Sequence, residues 1–268
     1  MRNPYLPAEF EVTDFVRESP DNFTITVNFS SNHEPGQFVM ASLPGIGEAL
    51  ISIASFSQDH LALNVREVGS VTSNLARLRP GDSVFIRGPY GRGYPMQLLA
   101  GNNIVMIGGG CGVAPLRGVI EYIAKNRSRF MDVDLFFGYR SVHDVLFRRD
   151  LQTWKQHYNL MLSLDKGSPG DAGSCYDARI GFVTEQLKSM PFSNENRVAF
   201  LCGPPKMMEL AVDSLKNRGF HSDQIFASAE RLMQCAVGKC GHCMIRGKYT
   251  CEDGPVFRWD EIEGCKND

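Results

Sequence analysis

Two periodicities divide the chain. Before about residue 98, apolar residues recur at every second position, as where Phe23, Ile25, Val27 and Phe29 alternate with polar neighbours in NFTITVNF. A period of two places one face of a strand on a core and the other in solvent. Comparable runs follow at GQFVMASLP, ALISIASF, HLALNVREV and DSVFIRGPYG, separated by Gly, Pro, Asn or Asp. One short helix is expected at TSNLARL, stopped by Pro80 and Gly81. Short strands at this spacing, with turn residues between them, predict an antiparallel β-barrel over residues 1–98.

Over residues 99–230 strand-like and helix-like stretches alternate. The strands are NNIVMIG, VDLFFGYR, NLMLSLDK, RVAFLCG and QIFASAE; the helices are PLRGVIEYIAKN, LFRRDLQTWKQHY, VTEQLKSM and PKMMELAVDSLKN. In the first helix Leu116, Val119, Ile120 and Ile123 share one face at a period of 3.6. A polar loop is expected at 167–177. Such βα alternation predicts a doubly wound parallel sheet. Residues 231–268 carry neither period and too few apolar residues for a core of their own, so something other than packing is expected to order them.

Bulk composition narrows the function. The chain has 268 residues, 43% of them apolar, and a net charge of −2. A balanced charge without a basic stripe argues against a nucleic-acid partner. The longest apolar stretch, Ile104–Leu116, is broken by glycine and shorter than the ~20 residues that span a bilayer. The N-terminus lacks the apolar segment of a secretory signal. A soluble cytoplasmic protein with no membrane partner is expected, and in that compartment clustered cysteines read as metal ligands rather than disulfides.

Half of the eight cysteines crowd into MQCAVGKCGHCMIRGKYTC: Cys235, Cys240, Cys243 and Cys251. The spacing C-x4-C-x2-C-x7-C begins as the plant-type run of [2Fe–2S] ferredoxins does. Gly238 and Gly241 leave room for backbone N–H groups to turn toward sulfur. Four thiolates also suit zinc, although structural zinc sites usually show paired short hooks. His242 reads as a surface residue or one that supports the ligands from behind, rather than as a ligand itself, and Cys265 as a free thiol.

Three further segments fit nucleotide chemistry. GGGCGVAP, from Gly108 to Pro115, lies between a strand and a helix, where glycine lets backbone N–H groups approach a phosphate; the other reading is a tight turn without ligand. Pro115 stands where the common dehydrogenase fingerprint has its third glycine, and Arg140 and Ser141 end the next strand where that fingerprint has an acid. CGPP, at Cys202–Pro205, ends a strand on the side where such sheets hold ligands; it also reads as a buried cysteine in a helix-entry turn. In EVGSVTSNL, Thr72 reads as the helix N-cap or, with Gly69, as a pyrophosphate contact. Ser52 reads as a strand hydroxyl or a cofactor contact.

Together VREVGSVT, RGPYG, GGGCGVAPLRG, LCGPPKMM and ERLMQCAVGKCGHC…YTCEDGPVF resemble the ferredoxin–NADP reductase superfamily, in its branch with a C-terminal [2Fe–2S] loop. That branch includes electron-transfer subunits of dihydroorotate dehydrogenase, gamma subunits of sulfhydrogenases and B subunits of anaerobic sulfite reductases. SLPGIGEALISI, GYPM and NLMLSLDKG look most like the last group. The resemblance implies an FAD-binding barrel over 1–98, an NAD(P)-binding domain over 99–230 and a cluster segment over 231–268. It implies FAD contacts from Ile51, Ser52, Ile53, Val65, Arg66, Gly69, Val71 and Thr72, with Ser52 near the hydride-accepting ring nitrogen. Ala49 stands where many relatives carry an arginine. The nicotinamide dinucleotide would meet Gly109, Gly110, Gly112, Val113, Pro115, Arg140, Cys202, Gly203 and Pro204, with Cys202 facing the nicotinamide.

A nicotinamide gives two electrons as hydride, an iron–sulfur centre takes them singly, and a flavin does both. The expected path runs from NADH, or NADPH if Arg140 pairs with a 2′-phosphate, through FAD and a [2Fe–2S] cluster to a partner. The resemblance implies an iron–sulfur relay subunit and a siroheme-bearing catalytic subunit, with sulfite as final acceptor. A hydrogenase diaphorase arm and a zinc-stabilised, non-catalytic binding module are the alternatives.

Overall fold

The computed structural model describes residues 3–168, 178–189 and 193–265. Most of the polar loop expected at 167–177, including Cys175, lies outside them. The first sheet contains β1 (Ala8–Ser19), β2 (Asn22–Val27), β3 (Phe38–Leu43), β4 (Gly47–Ser52), β5 (Leu61–Arg66) and β6 (Ser83–Tyr90). All its pairings are antiparallel, in the order β4-β3-β6-β1-β2-β5. A bridge from Ile53 to Leu63 joins the two outer strands, which curls the sheet into a barrel around Phe23, Ile25, Ile51, Leu63 and Val65. Between β5 and β6 comes α1 (Ser70–Leu75), which starts at Ser70 rather than at Thr72.

The long strand β1 was not predicted. Its pairing with β2 shifts register between Val12 and Asp14 and again between Arg17 and Ser19. Each irregularity resets which residues face the core, so no single period of two survives along the strand.

The second sheet contains β7 (Asn103–Gly109), β8 (Val133–Tyr139), β9 (Asn159–Leu164), β10 (Arg179–Ile180), β11 (Arg197–Cys202) and β12 (Ile225–Ser228), all parallel. Helices α2 (Val113–Lys125) and α3 (Arg148–His157) cover one face through Leu116, Val119, Ile123, Leu151 and Trp154. Helices α4 (Val183–Ser189) and α5 (Pro205–Lys216) cover the other through Leu187, Met208 and Val212. In the order β10-β9-β8-β7-β11-β12 the chain winds outward in both directions from β7. The crevice between the C-terminal ends of β7 and β11 is therefore the switch point, where open α/β sheets take ligands.

The tail corrects one expectation. A hairpin of β13 (Met244–Ile245) and β14 (Lys248–Tyr249) is followed by β15 (Val256–Arg258), which pairs antiparallel with β12 at the sheet edge, and by α6 (Trp259–Ile262). Phe257 and Ile262 are buried in the core that α5 covers. Ordinary packing thus orders this stretch. A strand added to an existing sheet needs no core of its own, and three residues are too few to show a period. The cysteine-bearing part packs elsewhere: Ala236, Cys243 and Cys251 are buried with Phe38 and Met40 of β3. Among the described residues no helix is long and apolar enough to cross a membrane.

Candidate functional site

At the switch point two turns meet. A Cβ on Gly112 would fall 2.6 Å from the Gly203 nitrogen and closer still to the Cys202 carbonyl, and one on Gly203 would fall 3.0 Å from the Gly109 nitrogen. Only glycine permits this approach. Gly110 takes φ +52, the left-handed region. The chain then enters α2 at Val113, with Pro115 in its first turn, where a missing N–H leaves no hydrogen bond unmade. The fold thus brings Gly109, Gly110, Gly112, Val113 and Pro115 beside Cys202, Gly203 and Pro204. Arg140 stands apart, exposed just past β8 and within the field of Asp165, whose pKa is raised by burial while Arg140 opposes the rise. Ser141 donates to Asp144 Oδ2 at 2.6 Å.

Burial pushes the Cys202 thiol up to about 12; Glu230 adds to the rise and a hydrogen bond with Ser228 opposes it. Cys202 is therefore a neutral thiol near neutral pH, suited to packing against a ring and unsuited to nucleophilic attack. Glu230, just past β12, is exposed at its surface, yet enough protein surrounds it that desolvation raises its pKa.

The barrel reaches this crevice at Cys111, whose thiol donates to Asn22 Oδ1 of β2 at 3.1 Å. Burial raises the Cys111 pKa; Arg66 opposes, while Asp21 and Glu230 add to it. These groups therefore share one electrostatic neighbourhood. Arg66, at the end of β5, is paired with Asp21 at 3.1 Å. Ile51, Ile53 and Val65 are buried in the barrel core, and Ser52 is the half-buried end of β4. Ala49 packs on the same core.

Thr72 is not the N-cap. Gly69 holds that position, and Thr72, the third helical residue, accepts from the Val68 and Gly69 N–H groups and donates to the Gly69 carbonyl, all at 3.0 Å. A Cβ on Gly69 would meet nothing within 4 Å, so the loop is open on its outer side. Val71 instead touches the barrel, close to Gly47.

The cysteines stand as two pairs. Cys243 and Cys251 flank the β13–β14 hairpin with sulfurs 3.4 Å apart, and the buried Thr250 hydroxyl fixes the Cys243 carbonyl at 2.6 Å. Cys235 and Cys240 form the other. The N–H groups of Lys239 and Cys240 lie 3.3 and 3.4 Å from the Cys235 sulfur, and that of Gly238 lies 3.2 Å from the Cys251 sulfur. Ala236, Gly238 and Gly241 adopt positive φ, which turns these amides inward. Hydrogen bonds at the backbone of His242 and then of Cys235 hold the Cys240 thiol down at about 7, whereas burial pushes Cys251 up to about 12.

Among the described residues no three His, Cys, Asp or Glu groups converge on a single-ion site. Two thiol pairs lined by inward amides fit an iron–sulfur cluster, which takes two thiolates at each iron, better than a zinc ion that gathers all four. His242 is exposed, and Cys265 packs against the core beneath α5.

Comparison with known proteins agrees with this geometry. Residues 106–213 match the oxidoreductase NAD-binding domain, and residues 230–263 match the iron–sulfur cluster-binding domain of dihydroorotate dehydrogenase B. Sulfhydrogenase 2 subunit gamma of Pyrococcus furiosus is 36% identical, over 97% of this chain and 98% of the relative. The chain belongs to the family of these electron-transfer subunits. The probable dihydroorotate dehydrogenase B (NAD(+)) electron-transfer subunit of Thermococcus kodakarensis is 37% identical, over 88% of this chain and 90% of that one. The solved NADH-dependent reduced ferredoxin–NADP oxidoreductase superposes with a TM-score of 0.74 at 25% identity, covering 95% of this chain and 91% of the other. The FAD/NAD-binding domain of a Vibrio cholerae nitric oxide dioxygenase shares the fold alone, with a TM-score of 0.71 at 20% identity. The protein is thus an NAD-dependent oxidoreductase subunit of the ferredoxin–NADP reductase-like superfamily, carrying an NAD-binding and an iron–sulfur domain.

Sequence reasoning passed over Asp21, Asn22, Cys111 and Arg87 as site residues. Asp21 sits in a β-turn, Asn22 opens β2 and Cys111 lies in the glycine turn, and only the docking of barrel against sheet gives these three a role.

Proposed function

We propose that this chain oxidises NADH and delivers the electrons one at a time to partner subunits. In this reading residues 1–98 hold FAD, 99–230 bind the nicotinamide dinucleotide and 231–268 carry a [2Fe–2S] cluster on Cys235, Cys240, Cys243 and Cys251. FAD, when bound, accepts hydride and releases single electrons. The protein's own part is placement. Gly109–Pro115 and Cys202–Pro204 seat the nicotinamide at the switch point, and Ser52, Val65, Arg66 and the Gly69–Thr72 loop line the flavin side. Neutral Cys202 would face the nicotinamide ring, and the Cys111–Asn22 hydrogen bond joins the barrel to the sheet beside it.

One observation carries the reading. Ser52 on β4 is the register partner of Phe38 on β3, and Phe38 packs with Ala236, Cys243 and Cys251. Directly opposed residues lie about 4.5–5.5 Å apart between Cα atoms, so a single cross-strand step separates the flavin side from the cluster cradle.

The near full-length match to a sulfhydrogenase gamma subunit favours the diaphorase arm of a hydrogenase-type, cytoplasmic complex. SLPGIGEALISI, GYPM and NLMLSLDKG favour a second reading, in which a siroheme subunit, fed through an iron–sulfur relay subunit, reduces sulfite. Purification of the native complex tests both: siroheme absorption with sulfite-dependent NADH oxidation supports the second, and NADH-dependent hydrogen or polysulfide chemistry supports the first. The isolated chain should reduce artificial dyes with NADH and should reduce neither sulfite nor protons.

A further inference from the structure

Arg87, on barrel strand β6, is 6% exposed. Its Nε and Nη2 donate to the two carboxylate oxygens of Glu48, at 2.9 and 2.6 Å. Nη1 donates to the Cys235 carbonyl at 2.9 Å and the Tyr90 hydroxyl at 3.4 Å, and Nη2 also reaches the Gln234 carbonyl at 3.4 Å. Each N–H of the guanidinium is thereby engaged. The Tyr90 ring lies 5.5 Å away, and its hydroxyl donates to the Pro4 carbonyl.

The arrangement exceeds what a barrel needs. Strands β4, β3 and β6 are already laddered, and an apolar pair of similar size would serve their packing as well or better. The bidentate Glu48 contact fixes the plane of the fork. Of the three remaining N–H groups, two are aimed at the Gln234 and Cys235 carbonyls that lead into the cysteine loop and one at the Tyr90 hydroxyl. Cys235 is therefore gripped twice. Arg87 holds its carbonyl, and the amides of Lys239 and Cys240 hold its sulfur. Glu48 lies on the far side of the fork, so the positive end of the pair faces the cysteines. With Cys243 and Cys251 buried and Cys235 half-buried, charge on this side of the site acts through a lower dielectric than water, and a positive end favours the state that carries one more electron.

We propose that Arg87 is a positioning residue for the iron–sulfur segment: it clamps the entry of the cluster loop to the strands that carry Ser52 and raises the cluster's reduction potential. This rests on the reading that the four cysteines hold a [2Fe–2S] cluster.

The test compares the unaltered holoprotein with Arg87→Met and Arg87→Lys. It measures iron, sulfide and flavin content, cluster potential by EPR-monitored titration, and trypsin cleavage within residues 231–251 of the metal-free protein. Arg87→Met should lower the potential and speed loop cleavage. NADH-driven cluster reduction should slow by roughly tenfold, the equivalent of one charged hydrogen bond, while flavin reduction is unchanged. Arg87→Lys keeps a cation beside Glu48 and so protects the fold. Its ammonium lacks the planar fork, so its potential should stay near the unaltered value while cleavage remains fast. A loaded cluster whose potential and loop cleavage ignore both substitutions would overturn this proposal alone. Absence of iron and sulfide from the unaltered protein would overturn the cluster reading and this proposal with it.

Discussion

Gly112→Ala isolates the packing at the switch point. Gly112 has φ −63 and ψ −12, a helical conformation that alanine adopts freely, so no backbone strain enters. The added methyl carbon would lie 2.6 Å from the Gly203 nitrogen, whereas ordinary contact begins at 3.4 Å. The obstacle is backbone on both sides and cannot rotate away. The turns after β7 and β11 must part by about 1 Å, a disturbance of the overpacking kind that costs about 1–3 kcal/mol. At about 2–4 °C per kcal/mol for a protein of this size, the unfolding midpoint should fall by about 2–12 °C. NADH-driven flavin reduction should slow at fixed NADH because the nicotinamide seat is reshaped. Thermal unfolding by circular dichroism and anaerobic stopped-flow read both quantities. If Gly112→Ala unfolds and reduces flavin as the unaltered protein does, the turns are not packed as described.

Four other outcomes follow from the site. Cys240→Ser should lose the cluster and keep the flavin, because Cys240 is exposed and supports neither core; metal assay and flavin absorbance read this. In metal-free protein Cys240 should alkylate with a midpoint at about pH 7 while Cys251, pushed to about 12, stays inert, as peptide mapping after iodoacetamide would show. NADH should be preferred to NADPH, whose 2′-phosphate would meet Asp144 and Asp165 as well as Arg140; a tenfold NADPH preference, lost in Arg140→Ala, would reverse this choice. Burial holds the His33 imidazole below its ordinary value against the Ser55 carbonyl it contacts at 2.9 Å. The unfolded chain then binds that proton more readily, so stability present above about pH 6.5 is lost as pH falls through the folded value. Urea midpoints should drop between about pH 7 and 5, and drop less in His33→Gln.

Five of the six parallel strands were legible because each is largely a run of apolar residues, and the first helix shows a clear 3.6-residue face; β10, only Arg179 and Ile180 and both exposed, carries no such signal. Leu116, Val119, Ile120 and Ile123 fall where the pattern put them. Legibility failed where one residue changes the phase or one contact crosses the fold. β1 hides behind two register shifts, and β15 is too short to carry a period. Thr72 looks like a cap from its position before the leucine and alanine of the helix; the hydroxyl does serve the helix start, but from inside the first turn. The cysteine spacing announced a metal site, while the two-pair arrangement and the inward amides needed the backbone. Arg87 stood in a strand as one more charged residue. Its role depends on Cys235, far along the chain and adjacent only in space.

The most direct test of an electron path from nicotinamide to cluster is anaerobic purification followed by analysis and NADH titration under EPR. The account requires one FAD and about two irons with two acid-labile sulfides per chain, and an EPR signal of a reduced iron–sulfur cluster that grows as NADH is added. Stoichiometric zinc without sulfide, or a cluster that NADH leaves oxidised while the flavin is fully reduced, would contradict it.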